Sequence, residues 1–222
     1  LDDNPDIERF AMLYTDLPGA QRGKLLTRGE LLAAWTGGRC LPGSVLSMDI
    51  TGRDVEETGM VWDDGDADRL VWPVHGTLVR TPWTLEPQAQ YLGTYHELSG
   101  EGSLAEPRHT LRRIVDKLAD LNLTPVAAVE LEFYLLDAAS ALAGRPKPPK
   151  ALVGHAEPKH WQAYLMQDLD DFAPFFRDLY AATKLQGVPA EALTSEYSPG
   201  QMEIGLRHHN DAVKACDEAM MF

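Results

Sequence analysis

The sequence predicts an α+β fold built from two consecutive units, and three observations carry that prediction. Short β-favouring runs surround one capped helix in the first hundred residues, a polar glycine-containing stretch interrupts the pattern near residue 100, and helical and strand-like segments follow to the end. At 222 residues with an apolar fraction of 44%, the chain can bury one sizeable core or two modest ones.

Within the first unit, residues 1–100, FAMLYTDL (10–17) and VLSMDI (45–50) are β-favouring runs, and LVWPVHGTLVRTPW (70–83) reads as two strands near a turn at His75-Gly76. Between them, TRGELLAAWTGG (27–38) has Thr27 and Glu30 in capping-box spacing, so each can satisfy the other's backbone amide. Its Leu31, Leu32 and Trp35 fall on one stripe before Gly37-Gly38 stop the helix. The stretch LSGEGSLAEPRH (98–109) marks the boundary, and residues 101–222 form the second unit.

That second unit opens with a helix. Pro107 suits the first helical turn, and Leu111, Ile114, Leu118 and Leu121 recur at helical spacing. LTPVAAVELEFYLLD (123–137) reads as a strand, whereas the Pro- and Lys-rich 144–161 reads as neither element. A helix is expected around 170–187, and a strand after Pro199-Gly200. A last helix is expected after Asn210 as N-cap, with Val213, Cys216 and Met220 on one stripe. That helix meets no capping signal before Phe222, so the sequence is expected to be part of a longer polypeptide.

A formal charge of −14 repels polyanions and argues against nucleic acid or an anionic membrane as partner, while leaving metal ions and cationic ligands compatible. No apolar run reaches the roughly 18 residues of a membrane helix, and the first ten residues lack a basic segment followed by an apolar one. A cytoplasmic protein is the expectation. Cys40 and Cys216 stand far apart and outside any C-x-x-C pattern, which indicates neither a disulfide framework nor a thiolate zinc site.

The chemistry concentrates in two acidic strands. In VELEFYLLD (129–137), alternation puts Ala128, Glu130, Glu132 and Tyr134 on one face and Val129, Leu131, Phe133 and Leu135 on the other. Taken alone, E-x-E is most simply the wet face of a half-buried strand. The segment SEYSPGQMEIG (195–205) changes that weighing. A Pro-Gly turn follows Glu196, then Gln201, Glu203 and Gly205 share a polar face, with Met202, Ile204 and Leu206 opposite. Four carboxylates without soft ligands suit a hard divalent cation, Mg²⁺ or Mn²⁺, rather than zinc. Phosphoryl chemistry is the usual use of such ions.

These two segments, VELEFYLLD and EYSPGQMEIGL, resemble the glutamine synthetase family, whose catalytic domain carries an E-x-E strand and later an E-x-x-x-G-Q-x-E segment in this order. TDLPGAQRGKLLTRGEL (15–31) and SMDITGRDVEETG (47–59) resemble that family's N-terminal β-grasp domain, so the likeness covers nearly the whole chain. TGRDVEETG, HGTLVRTPW and LRHHNDAVKACDEAMMF look most like the branch that joins glutamate to polyamines, the γ-glutamylputrescine synthetases.

By that resemblance, Glu132, Glu196 and Glu203 hold a first metal ion and Glu130 contributes to a second one bridging the ATP phosphates. The family's other second-ion ligands, its Gly-Ser-Gly-Met-His segment and its phosphate-neutralising arginines belong to later motifs absent from this sequence. Asp49 corresponds to the aspartate that reaches a neighbouring subunit's site and helps bind and deprotonate ammonium. The family's D-G-S-S pattern is here Asp49-Ile50-Thr51-Gly52, a departure that leaves room for a larger amine. His208 and His209, directly after the second motif, are read as structural or surface residues, and Arg22, Lys24 and Arg28 as solvated charge in a turn entering a helix.

The implied activity is an ATP-dependent ligase: ATP phosphorylates the γ-carboxylate of L-glutamate, and a primary amine such as putrescine displaces the phosphate. A homo-oligomeric ring such as a dodecamer is the implied assembly. The alternatives are a glutamine synthetase using ammonia, a non-catalytic structural or sensor member of the family, and a metal-free α+β binding domain.

Overall fold

The computed structural model describes residues 4–157 and 162–222. The last four residues of the Pro- and Lys-rich segment, 158–161, lie outside them, and its described part forms neither helix nor strand, as expected. The chain is a mixture of helices and sheets, and among the described residues no helix is long and apolar enough to cross a membrane.

Strand β1 (Arg9–Thr15) pairs antiparallel with β2 (Gln21–Thr27). Alternation buries Phe10, Met12 and Tyr14. The connecting turn is held by Asp16, whose fully buried carboxylate accepts from the Ala20 amide at 2.7 Å and from Arg22 Nε at 2.6 Å. Arg22 and Lys24 therefore lie on a strand, not in a turn. Arg22 neutralises Asp16, and Arg28 donates to the Ile7 carbonyl at 2.7 Å. Helix α1 (Arg28–Gly37) starts with the expected reciprocal Thr27–Glu30 cap and stops at Gly38, whose φ of 68° suits glycine. Its buried face is Leu31 with Ala34, however, and Leu32 is exposed.

The run expected as a strand at 45–50 is not one. Gly43–Leu46 forms a 3-10 turn that buries Leu46, and the extended segment is instead β3 (Arg39–Pro42). Strands β4 (Asp68–Pro73), β5 (Val79–Arg80) and β6 (Gln88–His96) complete a six-stranded sheet in the order β2-β1-β6-β4-β3, with β5 also paired to β6. The β1–β6 pair is parallel and the other pairs are antiparallel.

The central strand β6 escapes the sequence reading because it is covered on both faces, so no polar alternation survives. Ala89, Tyr91 and Tyr95 join the core beneath α1, together with Phe10, Met12, Leu31 and Val71. Leu92, pointing the other way, joins a second core with Val188, Ile204, Leu206 and Met221, so the two units share apolar contacts. Gln90 on that face donates to Gln186 Oε1 at 3.0 Å, and Gln186 Nε2 donates to the Arg80 carbonyl, so the buried pair is linked in a chain. Gly93 is required for close strand packing, since a Cβ there would stand 2.6 Å from Val71 Cγ1.

Helix α2 (Pro107–Asp120) is capped by Glu106, and Arg108 ties it to Asp217 through two bonds of 2.8 and 2.9 Å. Strand β7 (Glu130–Tyr134) follows, then the short helices α3 (Ala138–Leu142) and α4 (Met166–Asp171). Helix α5 (Ala173–Gln186) begins separately from α4, with a proline in its first turn. It leads to β8 (Ala190–Ser195), β9 (Gln201–Leu206) and α6 (Ala212–Met221). The N-cap of α6 is Asp211 rather than Asn210: its carboxylate accepts from the Val213 and Lys214 amides. The buried face is Ala212, Val213, Ala215 and Met221, leaving Cys216 exposed. Strands β7-β9-β8 form an antiparallel sheet whose apolar face packs Leu131, Phe133, Met202 and Ile204 against α5 and α6 residues.

Candidate metal centre

The polar face of this three-stranded sheet carries the acids. Antiparallel register sets Glu130 opposite Gly205, Glu132 opposite Glu203 and Tyr134 opposite Gln201, while Thr194 of β8 flanks Glu203. Two glutamates directly opposite one another repel, at a cost of about 0.2–1 kcal/mol by analogy with other cross-strand pairs. Burial is the first cause that pushes the Glu203 carboxyl above the usual carboxylate range, followed by the charges of Glu130, Glu196 and Glu132. The other three acids singled out in the sequence therefore all act on Glu203.

Glu196 enters the cluster through the turn joining β8 to β9. Its amide donates to the Gln201 carbonyl at 2.8 Å, and the Gln201 amide donates to the Ser198 carbonyl at 2.9 Å. Gly200 closes the turn with a φ of 82°, and an added Cβ would come within 2.7 Å of the Leu135 carbonyl oxygen. The Leu135 amide donates to the Gly200 carbonyl at 2.7 Å, which pins the turn to the end of β7. The Gln201 side chain accepts from the Ser198 amide at 3.0 Å and donates through Nε2 to Glu132 Oε1. The sequence places Gln201 on this face, but only the register brings its carboxamide to Glu132.

As the side chains stand, no group of three or more His, Cys, Asp or Glu residues among the described residues is placed to hold a metal ion. Glu132 is held by the Gln201 carboxamide. The donor chemistry nevertheless fits a hard cation: three carboxylates on one sheet face and a fourth on the adjoining turn, with Glu203 under the charges of the other three, in a field that a divalent charge would relieve.

The other candidates have partners of their own. Asp49 Oδ1 accepts from the Thr51 amide and hydroxyl, both at 2.7 Å, and from the Arg53 amide at 3.0 Å. The bonds from Arg53 and Thr51 hold its carboxyl below the usual range and brace the 49–53 loop. His209 exchanges backbone hydrogen bonds with Ala127 at 2.8 and 2.9 Å, and its Nε2 lies 2.6 Å from Glu218 Oε2. His208 is exposed.

Fold and site together define a mixed helix-and-sheet protein that carries Glu130, Glu132 and Glu203 on the polar face of an antiparallel sheet, with Glu196 in the adjoining turn. The sequence profile described as glutamine synthetase, catalytic domain, matches residues 104–222, and the chain belongs to the glutamine synthetase family. It is 38% identical over 97% of its length to gamma-glutamylputrescine synthetase of Escherichia coli K12, covering 46% of that protein. It is 30% identical over 97% of its length to glutamate–isopropylamine ligase of a Pseudomonas species, again covering 46% of the relative. The chain thus spans about half the length of these curated relatives. A solved structure of a GmaS/ADP complex superposes with a TM-score of 0.76 at 21% identity, covering 98% of this chain and 45% of the other, a likeness of fold.

Proposed function

We propose that this chain is part of an ATP-dependent ligase joining the γ-carboxylate of L-glutamate to an amine, with a di- or polyamine such as putrescine as acceptor and γ-glutamyl phosphate as intermediate. The observation that carries the reading is the Glu132–Glu203 cross-strand pair with Glu130 and Glu196 beside it, an arrangement unfavourable without a cation. Relatives named as a γ-glutamylputrescine synthetase and a glutamate–isopropylamine ligase support an alkylamine acceptor.

In this reading Glu132, Glu196 and Glu203 hold one Mg²⁺ or Mn²⁺, and Glu130 contributes to a second. Such ions neutralise charge between a carboxylate nucleophile and a triphosphate, which otherwise repel. The chain's own part is to present those carboxylates from a rigid sheet, with the turn at Pro199-Gly200 setting the position of Glu196. The first unit is read as a β-grasp domain; its β1–β2 hairpin, following α1 and parallel β1–β6 pair support this. Asp49, on that domain, is proposed to serve the acceptor-amine site of a neighbouring subunit in a homo-oligomeric ring.

A second reading, a glutamine synthetase using ammonia, is favoured by relatives such as glutamine synthetase of Thermotoga maritima, 26% identical over 90% of this chain and 42% of the relative. The test measures glutamate- and ATP-dependent phosphate release by the natural polypeptide carrying this sequence, with putrescine, spermidine or ammonium as acceptor. A kcat/KM favouring the di- or polyamine is expected. Preference for ammonium returns the second reading, and phosphate release that none of the three amines stimulates refutes the ligase.

A further inference from the structure

The carboxamide of Gln201 links two parts of the acidic face through side chains, beside the backbone bond from Leu135 to Gly200. Glu132 stands on β7, whereas Glu196 stands on the turn between β8 and β9. Gln201 spans them with one side chain: Oε1 accepts from the Ser198 amide within the turn at 3.0 Å, and Nε2 donates to Glu132 Oε1. Its backbone also carries both hydrogen bonds that close the turn, accepting from Glu196 and donating to Ser198. The amide cannot rotate by half a turn without losing both contacts, because donor and acceptor would then face like groups.

A glutamate side chain has three rotatable bonds, and each one left free lowers the fraction of time its carboxylate points where a ligand is needed. Glu132 stands directly opposite Glu203, a like charge that gives its carboxylate no stabilising partner. A neutral donor on one oxygen supplies one without adding charge, and leaves the second oxygen free.

The geometry points to Gln201 as a positioning residue for divalent-cation binding: it orients the Glu132 carboxylate and keys it to the turn that carries Glu196. This rests on the metal reading above, and the experiment separates the two. Free Mn²⁺ is followed by its electron paramagnetic resonance signal during titration of the full chain and of Gln201→Met, Glu132→Gln and the double variant. Groups that orient metal ligands typically account for about 10–100-fold in affinity, so Gln201→Met should weaken Mn²⁺ binding by about that factor. Because the effect passes through Glu132, the same substitution in the Glu132→Gln background should change affinity less than about twofold.

Equal losses from Gln201→Met in both backgrounds would overturn the positioning role, since a general effect on the turn acts whether or not residue 132 is a carboxylate. Wild-type affinity in Gln201→Met would do the same. Absence of Mn²⁺ binding by the wild-type chain overturns the metal reading itself, and this inference with it. Gln201→Leu replaces Gln201→Met if circular dichroism shows that the latter does not fold.

Discussion

Replacing Glu203 by Gln should stabilise the metal-free chain at neutral pH, the opposite of what most substitutions at a partly buried position do. Glu203 faces Glu132 across the strand pair and also feels Glu130 and Glu196, while burial further disfavours its charge. A cross-strand charge pair is worth about 0.2–1 kcal/mol, and solvent screening keeps the sum near the upper part of that range. For a chain of this size each kcal/mol moves the midpoint by roughly 2–4 °C, so a gain of about 1–4 °C is expected. The raised carboxyl sets the pH sense: a native state that holds its proton more tightly loses stability as pH rises through the folded value. The advantage of Glu203→Gln should therefore vanish below the ordinary glutamate range. It should also shrink in 1 M salt, where the Debye length falls to about 3 Å. Thermal melts with chelator, at low and high salt and at acid and neutral pH, measure all three. Saturating Mn²⁺ should reverse the order, because wild type gains binding free energy that the variant forfeits. Destabilisation in chelator at neutral pH, or a gain indifferent to salt, would refute the repulsion on which the metal reading depends.

The Arg108–Asp217 pair, half-buried between α2 and α6, should resist loss of either partner: Asp217→Asn is expected to lower stability by about 1.5–3 kcal/mol, read as a reduced urea midpoint. His109 is pushed down to about 4, first by burial and then by the nearby His96 ring. A base with a depressed native value binds fewer protons folded than unfolded, so stability falls as pH drops from about 6.5 toward about 4. The loss should be on the order of 1–3 kcal/mol after screening. His109→Gln should flatten that part of the profile in urea titrations between pH 7 and 4.

Local rules wrote much of this protein directly into its sequence. The Thr27–Glu30 capping box and the glycine stop define α1, because a cap involves residues within one turn of each other. The two faces of β7 and β9 were equally legible, since alternation is a property of a single strand: Leu131 and Phe133 against Glu130 and Glu132, Met202 and Ile204 against Gln201 and Glu203. Strand β2 was not, because on it only Leu26 is buried and the rest reads as a polar turn. Strand β6 failed for the contrary reason: the second unit covers its outer face, so the polar residues Gln90 and Thr94 are buried rather than solvated. For the site, residue identities follow from the sequence, but their partners do not. Nothing local specifies that Glu132 lies opposite Glu203, or that Gln201 reaches a carboxylate 69 residues away. Register between distant strands is decided by how Leu131, Phe133, Met202 and Ile204 pack on α5 and α6, since a one-residue slip would turn those apolar side chains to water and the strand acids Glu130, Glu132 and Glu203 into the core.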